Sequence, residues 1–428
     1  MTITSMRKTF SKPDASSRWL KALTSAQAGA LIFGVMMLIT YLFLPLGIAF
    51  VLDVDESFIT LAAVTAVAVA ALALGAITPV FDPLFDGRLP RFVVNADVFN
   101  GTLWTVFVLF VFVAWGTAPQ IPLIAAISGA DPDTVSLLRE QFLKAREGWQ
   151  SSFVYINAVL SGALIPYSLA LMFLNGSRWR WISAGFFLIF TMSFVEKAFF
   201  FKATIPLLYL VAQGKAKTRI SPRTMLVSTF ALLLLVTFFA GSGSSEESSG
   251  DPFFSVSYTP QGGLQHLIWR SVSIPLITAA DAIRVLREQF GDQPLGGATS
   301  TFMASLFGLE RIEFERLVFA AQWGQNETGT GSSNSVFITE AYVNYGWIGV
   351  FIFGYMIGLL MRLFAMSRDE AFRSMWPLFA IGVYTSGLIG ILLSNGFLFL
   401  FIIAIFVRMR ATSSSINLSS TIHSTISS

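Results

Sequence analysis

The stretch SSNSVFITEAYVNYGWIGVFIFGYMIGLLMRLF, residues 332–364, decides the fold. Its apolar run, about 335–365, is long enough for a helix to cross the hydrocarbon of a bilayer, which takes about 20 residues. The run opens on the glycine- and serine-rich TGTGSSNS and closes on Arg362. One acid, Glu340, sits just inside its mouth. There it would either stabilise the positive end of the helix dipole or take a proton during a reaction. Gly346, Gly349, Gly354 and Gly358 recur along the run. Small residues of this kind let two helices approach closely in a membrane.

Further apolar runs lie at about 28–52, 58–80, 97–116, 152–174, 182–195, 199–213, 224–241, 375–393 and 396–410. The first is too long for the core of a signal peptide, and no small-residue cleavage site follows it, so it reads as an uncleaved span. The pair 182–195 and 199–213 is short and holds Glu196, Lys197 and Lys202 at its centre. Two short helices meeting at a charged turn fit it better than one long span. The composition agrees: 54% of residues are hydrophobic and 12% charged, against roughly a quarter charged in soluble domains. Mean hydropathy is +0.68. The expected fold is an all-α polytopic membrane protein of about ten transmembrane helices.

The charge distribution orients it. With the N-terminus in the cytoplasm, the inner segments carry Arg7, Lys8, Lys12, Arg18, Lys21, Arg88, Arg91, Arg178, Arg180, Lys215, Lys217, Arg219, Arg223, Arg362, Arg368, Arg373, Arg408 and Arg410. These loops are short and dense in positive charge, as inner loops are. The 53–57 link, Asp-Val-Asp-Glu-Ser, is acidic, as suits the outside. Both termini are expected in the cytoplasm. The domain plan is a cytoplasmic segment 1–23, a first bundle 24–241, a large outer loop 242–334, last spans 335–410, and a disordered serine-rich tail 411–428.

Composition also excludes chemistries. With no cysteine there is no disulfide, thiolate metal site or thiol nucleophile. Two histidines, His266 and His423, cannot build a histidine-rich metal site. No metal and no cofactor is expected. A net charge of +3 is too small to suggest nucleic acid. Leu-Arg-Glu-Gln-Phe occurs at 138–142 and 286–290, but the likeness extends no further. No half of the chain repeats, which weighs against an inverted-repeat transporter.

Two outer segments stand out. In 117–151, residues 134–149 place Val135, Leu138 and Phe142 at helical spacing, as a helix along the membrane surface would. The 242–334 segment opens on GSGSSEESSG, with Glu246 and Glu247, and then predicts helices over 275–290 and 300–323. The outer cations are Arg139, Lys144, Arg146, Lys197, Lys202, Arg270, Arg284, Arg287, Arg311 and Arg316. Arg284 and Arg287, three apart, share a helix face. Arginine's planar fork of donors suits phosphate and pyrophosphate, so a cationic outer pocket beside lipid would suit a polyprenyl-phosphate or phospholipid headgroup. The alternative is local pairing with Glu140, Glu147, Asp281 and Glu288.

Residues 332–364 resemble the late span of Wzy-type polymerases of O-antigen or exopolysaccharide repeat units. The matching positions are Asn334, Thr339, Tyr342, Asn344 or Tyr345, Gly346, Gly349 and Gly358. Where the family carries an acidic residue before the glycine, this sequence reads Asn344-Tyr345. Residues 137–173 resemble the family's arginine-bearing outer helix and following span, and 193–212 its short helix pair. The resemblance implies a glycosyltransferase-C-like enzyme of the bacterial inner membrane. Its donor would be a growing glycan on undecaprenyl pyrophosphate, and its acceptor one new lipid-linked repeat unit. It further implies Glu340, Arg270, Arg284 and Arg287 as catalytic residues, with Arg139, Arg146, Lys197 and Lys202 holding pyrophosphate. Membrane lipid, a chain-length regulator and a flippase would be its partners. The rivals are an O-antigen ligase, which would use His266, and a polysaccharide or lipid transporter, which would place charges deep within several spans.

Overall fold

The computed structural model describes residues 25–410 apart from 52–54, 86–89, 144, 196–198, 219, 242–251, 261, 325–332 and 334–335. The segments 1–23 and 411–428, and Lys144, Glu196, Lys197, Glu246, Glu247 and Asn334, lie outside the described residues. Helices form where the apolar runs predict them: α1 (Ala26–Val51), α2 (Ser57–Ile77), α3 (Ala96–Gly116), α4 (Pro132–Leu143), α5 (Gly148–Asn175), α6 (Arg180–Met192), α7 (Phe199–Ala212) and α8 (Pro222–Gly241). The loop region contributes α9 (Ile274–Phe290), α10 (Thr301–Phe307) and α11 (Phe314–Trp323). The last part holds α12 (Phe337–Met366), α13 (Glu370–Arg373), α14 (Trp376–Thr385) and α15 (Phe397–Phe406). Among the described residues five helices, α1, α2, α3, α5 and α12, are long and apolar enough to cross a membrane. The chain is thus a polytopic membrane protein.

The centre of the bundle is α2 against α12. A Cβ on Gly358 would lie 2.1 Å from the Leu72 carbonyl oxygen, and one on Gly354 would lie 2.4 Å from that of Ala68. From the other side, a Cβ on Gly75 would meet the Tyr355 carbonyl at 2.1 Å. The two backbones touch because the residue at each of these contact points is a glycine, with no side chain to hold them apart. Lipid tails are as apolar as leucine, so packing of this kind holds membrane helices together better than apolar burial does. Phenylalanines fill the space around it, among them Phe33, Phe337, Phe364 and Phe372, all fully buried.

α12 is not one straight rod. Gly346 takes φ 62° and ψ −153°, a backbone that residues with a Cβ avoid, and breaks the helix near its mouth. The carbonyls of Val343 and Asn344 accept instead from the Leu295 and Gly296 amides, at 2.9 and 2.8 Å. The loop after α9 is therefore stitched onto the break.

The other end of α12 is basic. Arg362 grips Asp82 through two hydrogen bonds, of 3.0 and 2.7 Å, and donates to the Ala76 carbonyl. Glu370 binds both Lys215 and Arg373, at 2.5 and 2.9 Å. Glu340 and Arg362 are 22 residues apart, about 33 Å of helix, close to the thickness of the hydrocarbon.

Several elements differ from expectation. The predicted 300–323 helix is split into α10 and α11 at Gly308. The 134–149 helix stops at Leu143. The run at 375–393 breaks after α14, where Ser386 is extended, and resumes as a helical turn ending at Ser394. The fold is not purely helical: β1 (Phe92–Asn95) pairs in parallel with β2 (Val407–Arg410), bringing Val93 opposite Arg408. The alternation Val-Arg-Met-Arg at the end of the last apolar run carries that period of two.

Replacing Gly358 with valine should separate α2 from α12 and destabilise the protein by at least the ~1–3 kcal/mol typical of overpacking. Gly47→Ala, at a position with open space around its Cβ, should be neutral. Thermal unfolding of the two variants in detergent checks this.

Candidate functional site

α9 buries Leu276, Thr278, Ile283, Val285 and Leu286, and Thr278, Asp281 and Arg284 fall along one row at a spacing of three. α11 packs against it and offers Glu315 and Gln322, two turns apart on one face. The Gln322 side chain joins the two helices. Its Nε2 donates to Thr278 Oγ1 at 3.0 Å and to Asp281 Oδ2 at 3.1 Å. Its Oε1 accepts from Ser333 Oγ at 2.5 Å. The Ser333 amide in turn donates to the Glu315 carbonyl at 3.0 Å. Arg284 Nη2 completes the network on Asp281 Oδ1 at 2.7 Å. Burial pushes the Asp281 carboxyl above its ordinary range, against the opposing pull of Arg284 and Gln322. Burial likewise raises the Glu315 carboxyl.

This network meets the mouth of α12. Asn344 Nδ2 donates to Thr299 Oγ1 at 2.7 Å and to the Glu340 carbonyl at 2.8 Å, which locks the last turn before the Gly346 break. The Glu340 side chain reaches across to the break after α14. Its carboxylate lies against Gly387, where a Cβ would come within 2.6 Å of it, and Oε2 accepts from the Ile389 amide at 3.4 Å. The Tyr345 hydroxyl, opposite Gly297, is a buried polar atom with no hydrogen-bond partner among the described residues. Arg284 Nε is another. The mouth thus sets a carboxylate on a gap between helices beside amides and hydroxyls, and the α9–α11 network above it adds an acid, an amide and a guanidinium. Such a set can accept a proton and stabilise an anion.

The remaining predicted residues are placed differently. Arg287 turns to the α1–α2 link, binding Asp55 Oδ2 at 2.5 Å with Glu56 Oε2 at 3.8 Å. Burial pushes the Asp55 carboxyl up, but hydrogen bonds from Ser57 and the Arg287 guanidinium carry it below the usual range. Arg146, read from sequence as a headgroup ligand, is instead buried among carbonyls. It donates to Phe142 O at 2.6 Å, Ala114 O at 2.8 Å, Gln150 Oε1 at 3.1 Å and Thr117 Oγ1. Its guanidinium also lies 5.1 Å from the centre of the Phe153 ring. It ties α3 to α4 and α5. Arg270 is exposed on the π turn Trp269–Ser273. Arg139 on α4 and Lys202 on α7 are half-buried. The His266 ring leans on Trp269, with centroids 6.0 Å apart.

Sequence reasoning weighed Asp281 only as a partner for Arg284, which it is, and missed Gln322, Thr278, Glu315 and Thr299. The signal available was the shared face of residues 278, 281 and 284, and of 315 and 322. A double-mutant cycle of Asp281→Asn and Arg284→Ala should give a coupling on the order of 1 kcal/mol at neutral pH. The pair needs an ionised Asp281, and its carboxyl is raised, so the coupling should vanish on acidification at a higher pH than an ordinary aspartate would require. Unfolding midpoints of the four proteins across pH measure it.

Residues 324–389 match the family model described as O-antigen polysaccharide polymerase Wzy. No curated protein and no solved structure matches the chain. The matched segment holds Ser333, Glu340, Asn344, the Gly346 break, the Gly354 and Gly358 seam, and the Gly387–Ile389 contact. The likeness read from the late span therefore holds: over residues 324–389 this chain is similar to the Wzy-type family of O-antigen polysaccharide polymerases.

Proposed function

We propose that this chain polymerises lipid-linked oligosaccharide repeat units, moving a growing glycan from undecaprenyl pyrophosphate to the non-reducing end of a new unit on the same carrier. The observation that carries the reading is the position of Glu340. It lies inside the segment similar to the Wzy family, at a break between helices, within electrostatic reach of Glu315, whose carbonyl is tied through Ser333 to the Gln322–Asp281–Arg284 network.

In the reaction an acceptor-sugar hydroxyl attacks the anomeric carbon of the donor. The new C–O bond forms as the bond to pyrophosphate breaks, and the lipid pyrophosphate departs with the electron pair. Glu340 takes the hydroxyl proton. Negative charge grows on the leaving group, so fixed cations and donors aimed at it are the main electrostatic aid. Arg284 is the first of these, with Arg270 and Arg287 on the same stretch of chain. Lys197, Lys202 and Arg139 would hold the pyrophosphates of the two substrates. Arg146, with four donors engaged, positions the helices around them. Two lipid-borne substrates held in one membrane plane gain proximity without extra contacts.

About ten spans in the inner membrane, with both termini in the cytoplasm, put this mouth on the outer side. The basic Arg362 end then faces the cytoplasm, as the positive-inside bias requires. The large loop 242–334 becomes the periplasmic wall of the site. A flippase would deliver the substrates, and a chain-length regulator would set their number.

Cells lacking the gene, complemented with variants, test this on gels of surface polysaccharide. Glu340→Gln should remove long chains and leave single-repeat material, a loss of about 10²–10⁴ in rate for a general base. Arg284→Ala should lower the rate by about 10²–10³. Glu313→Gln, which breaks only an exposed pair with Arg316, should leave the ladder intact. Normal chain length with Glu340→Gln present in the membrane would contradict the assignment.

A further inference from the structure

A cleft of about 780 Å³ runs between α3 and α6 at the Arg362 end of the bundle, far from Glu340. Its lining is ordered along α3. Asp97 and Asn100 stand at the start of the helix, Gly101 and Trp104 follow, and Val108 and Phe112 lie deepest. These residues recur every three or four positions, so they form one face that passes from charged to apolar over about 22 Å. α6 repeats the order, with Arg178 and Trp179 just before its start, Ser183 in the middle and Phe186 at depth. The deep end is closed by rings: Phe186 meets Phe107 and Trp115, with centroids 6.0 and 6.2 Å apart. The back wall is fixed by a chain of hydrogen bonds from Trp104 Nε1 to Ser168 Oγ (3.1 Å) and on to Asn100 Oδ1 (2.6 Å).

Two charges flank the open end. Arg178 lies over the Trp179 ring at 5.4 Å and makes no ion pair among the described residues. Asp97 is exposed and likewise makes none. Opposite charges on one rim that do not meet each other fit a ligand that carries both signs. An occupant with a zwitterionic head at the rim and an apolar chain of about 20 Å alongside Trp104, Val108 and Phe112 matches the whole lining. Neighbouring surface on the two helices, Val98, Leu109 and Ile189, is exposed apolar side chain, so the cleft is flanked by faces that suit lipid.

We infer that this cleft binds a zwitterionic aminophospholipid. Its phosphate is held by Arg178, its ammonium by Asp97, and one acyl chain lies along α3. The site is separate from the polymerising mouth and adds a structural lipid to the protein.

Gly101 gives the means to test it. A Cβ there meets nothing within 4 Å, so a larger side chain fills the cleft without touching the fold. Gly185 on α6 has the same open surroundings but does not line the cleft. The full-length protein would be extracted into detergent, supplied with phosphatidylethanolamine or phosphatidylglycerol, and analysed by native mass spectrometry. Wild type and Gly185→Leu should retain phosphatidylethanolamine in preference to phosphatidylglycerol. Gly101→Leu should lose at least ten-fold of the bound fraction while unfolding at the wild-type temperature without lipid. Asp97→Asn should remove the preference for phosphatidylethanolamine and keep binding, a readout that stands even if Gly101→Leu folds poorly. Equal retention by Gly101→Leu, or equal retention of both lipids by wild type, would overturn the inference.

Discussion

The approach of α2 to α12 is the constraint on which the other elements depend. Gly75 on one helix and Gly354 and Gly358 on the other bring carbonyl oxygens to within 2.1–2.4 Å of where a Cβ would stand. A single methyl group on either side would push the helices apart. Because α12 is held this firmly through its middle, its two ends can be different. One end is anchored by Arg362 on Asp82 and the Ala76 carbonyl at the foot of α2. The other can break at Gly346 without unravelling the bundle.

That break gives the site its shape. It turns two backbone carbonyls toward the loop after α9 and so docks α9 and α11 over the mouth. Gln322 on α11 then reaches Thr278 and Asp281 on α9, 44 and 41 residues away in sequence, and Arg284 closes on Asp281 from within α9. A second break, between α14 and the turn that follows, leaves the Ile389 amide directed at Glu340. Irregular backbone at this depth is tolerated where it is buried in protein or lines a cavity. The two breaks therefore mark the same region that the charges mark.

Much of this was legible in the sequence, because membrane helices announce themselves through length and composition. The apolar runs located the helices, and Gly354 and Gly358 marked the seam, whereas Gly346, which reads from spacing as one more packing position, breaks the helix. Glu340 stood out as one acid inside a long apolar run. What stayed hidden was direction. Nothing in the spacing of Arg146 says that it faces the carbonyls of Phe142 and Ala114 rather than a headgroup. Arg287 and Arg284 share a helix face by spacing, yet one reaches Asp55 across the bundle and the other Asp281 on its own helix. The β1–β2 pair joins segments more than 300 residues apart, and strands of four residues carry too little pattern to be paired from sequence.

The central claim is that the α12 mouth forms glycosidic bonds between lipid-linked units. The most direct measurement uses the purified protein in vesicles, given a synthetic repeat unit on a polyprenyl pyrophosphate. Products of two or more repeats, with one lipid pyrophosphate released for each new linkage, are the predicted result. Movement of the lipid across the vesicle with no new linkage, or transfer only to a lipid A core acceptor, would contradict it.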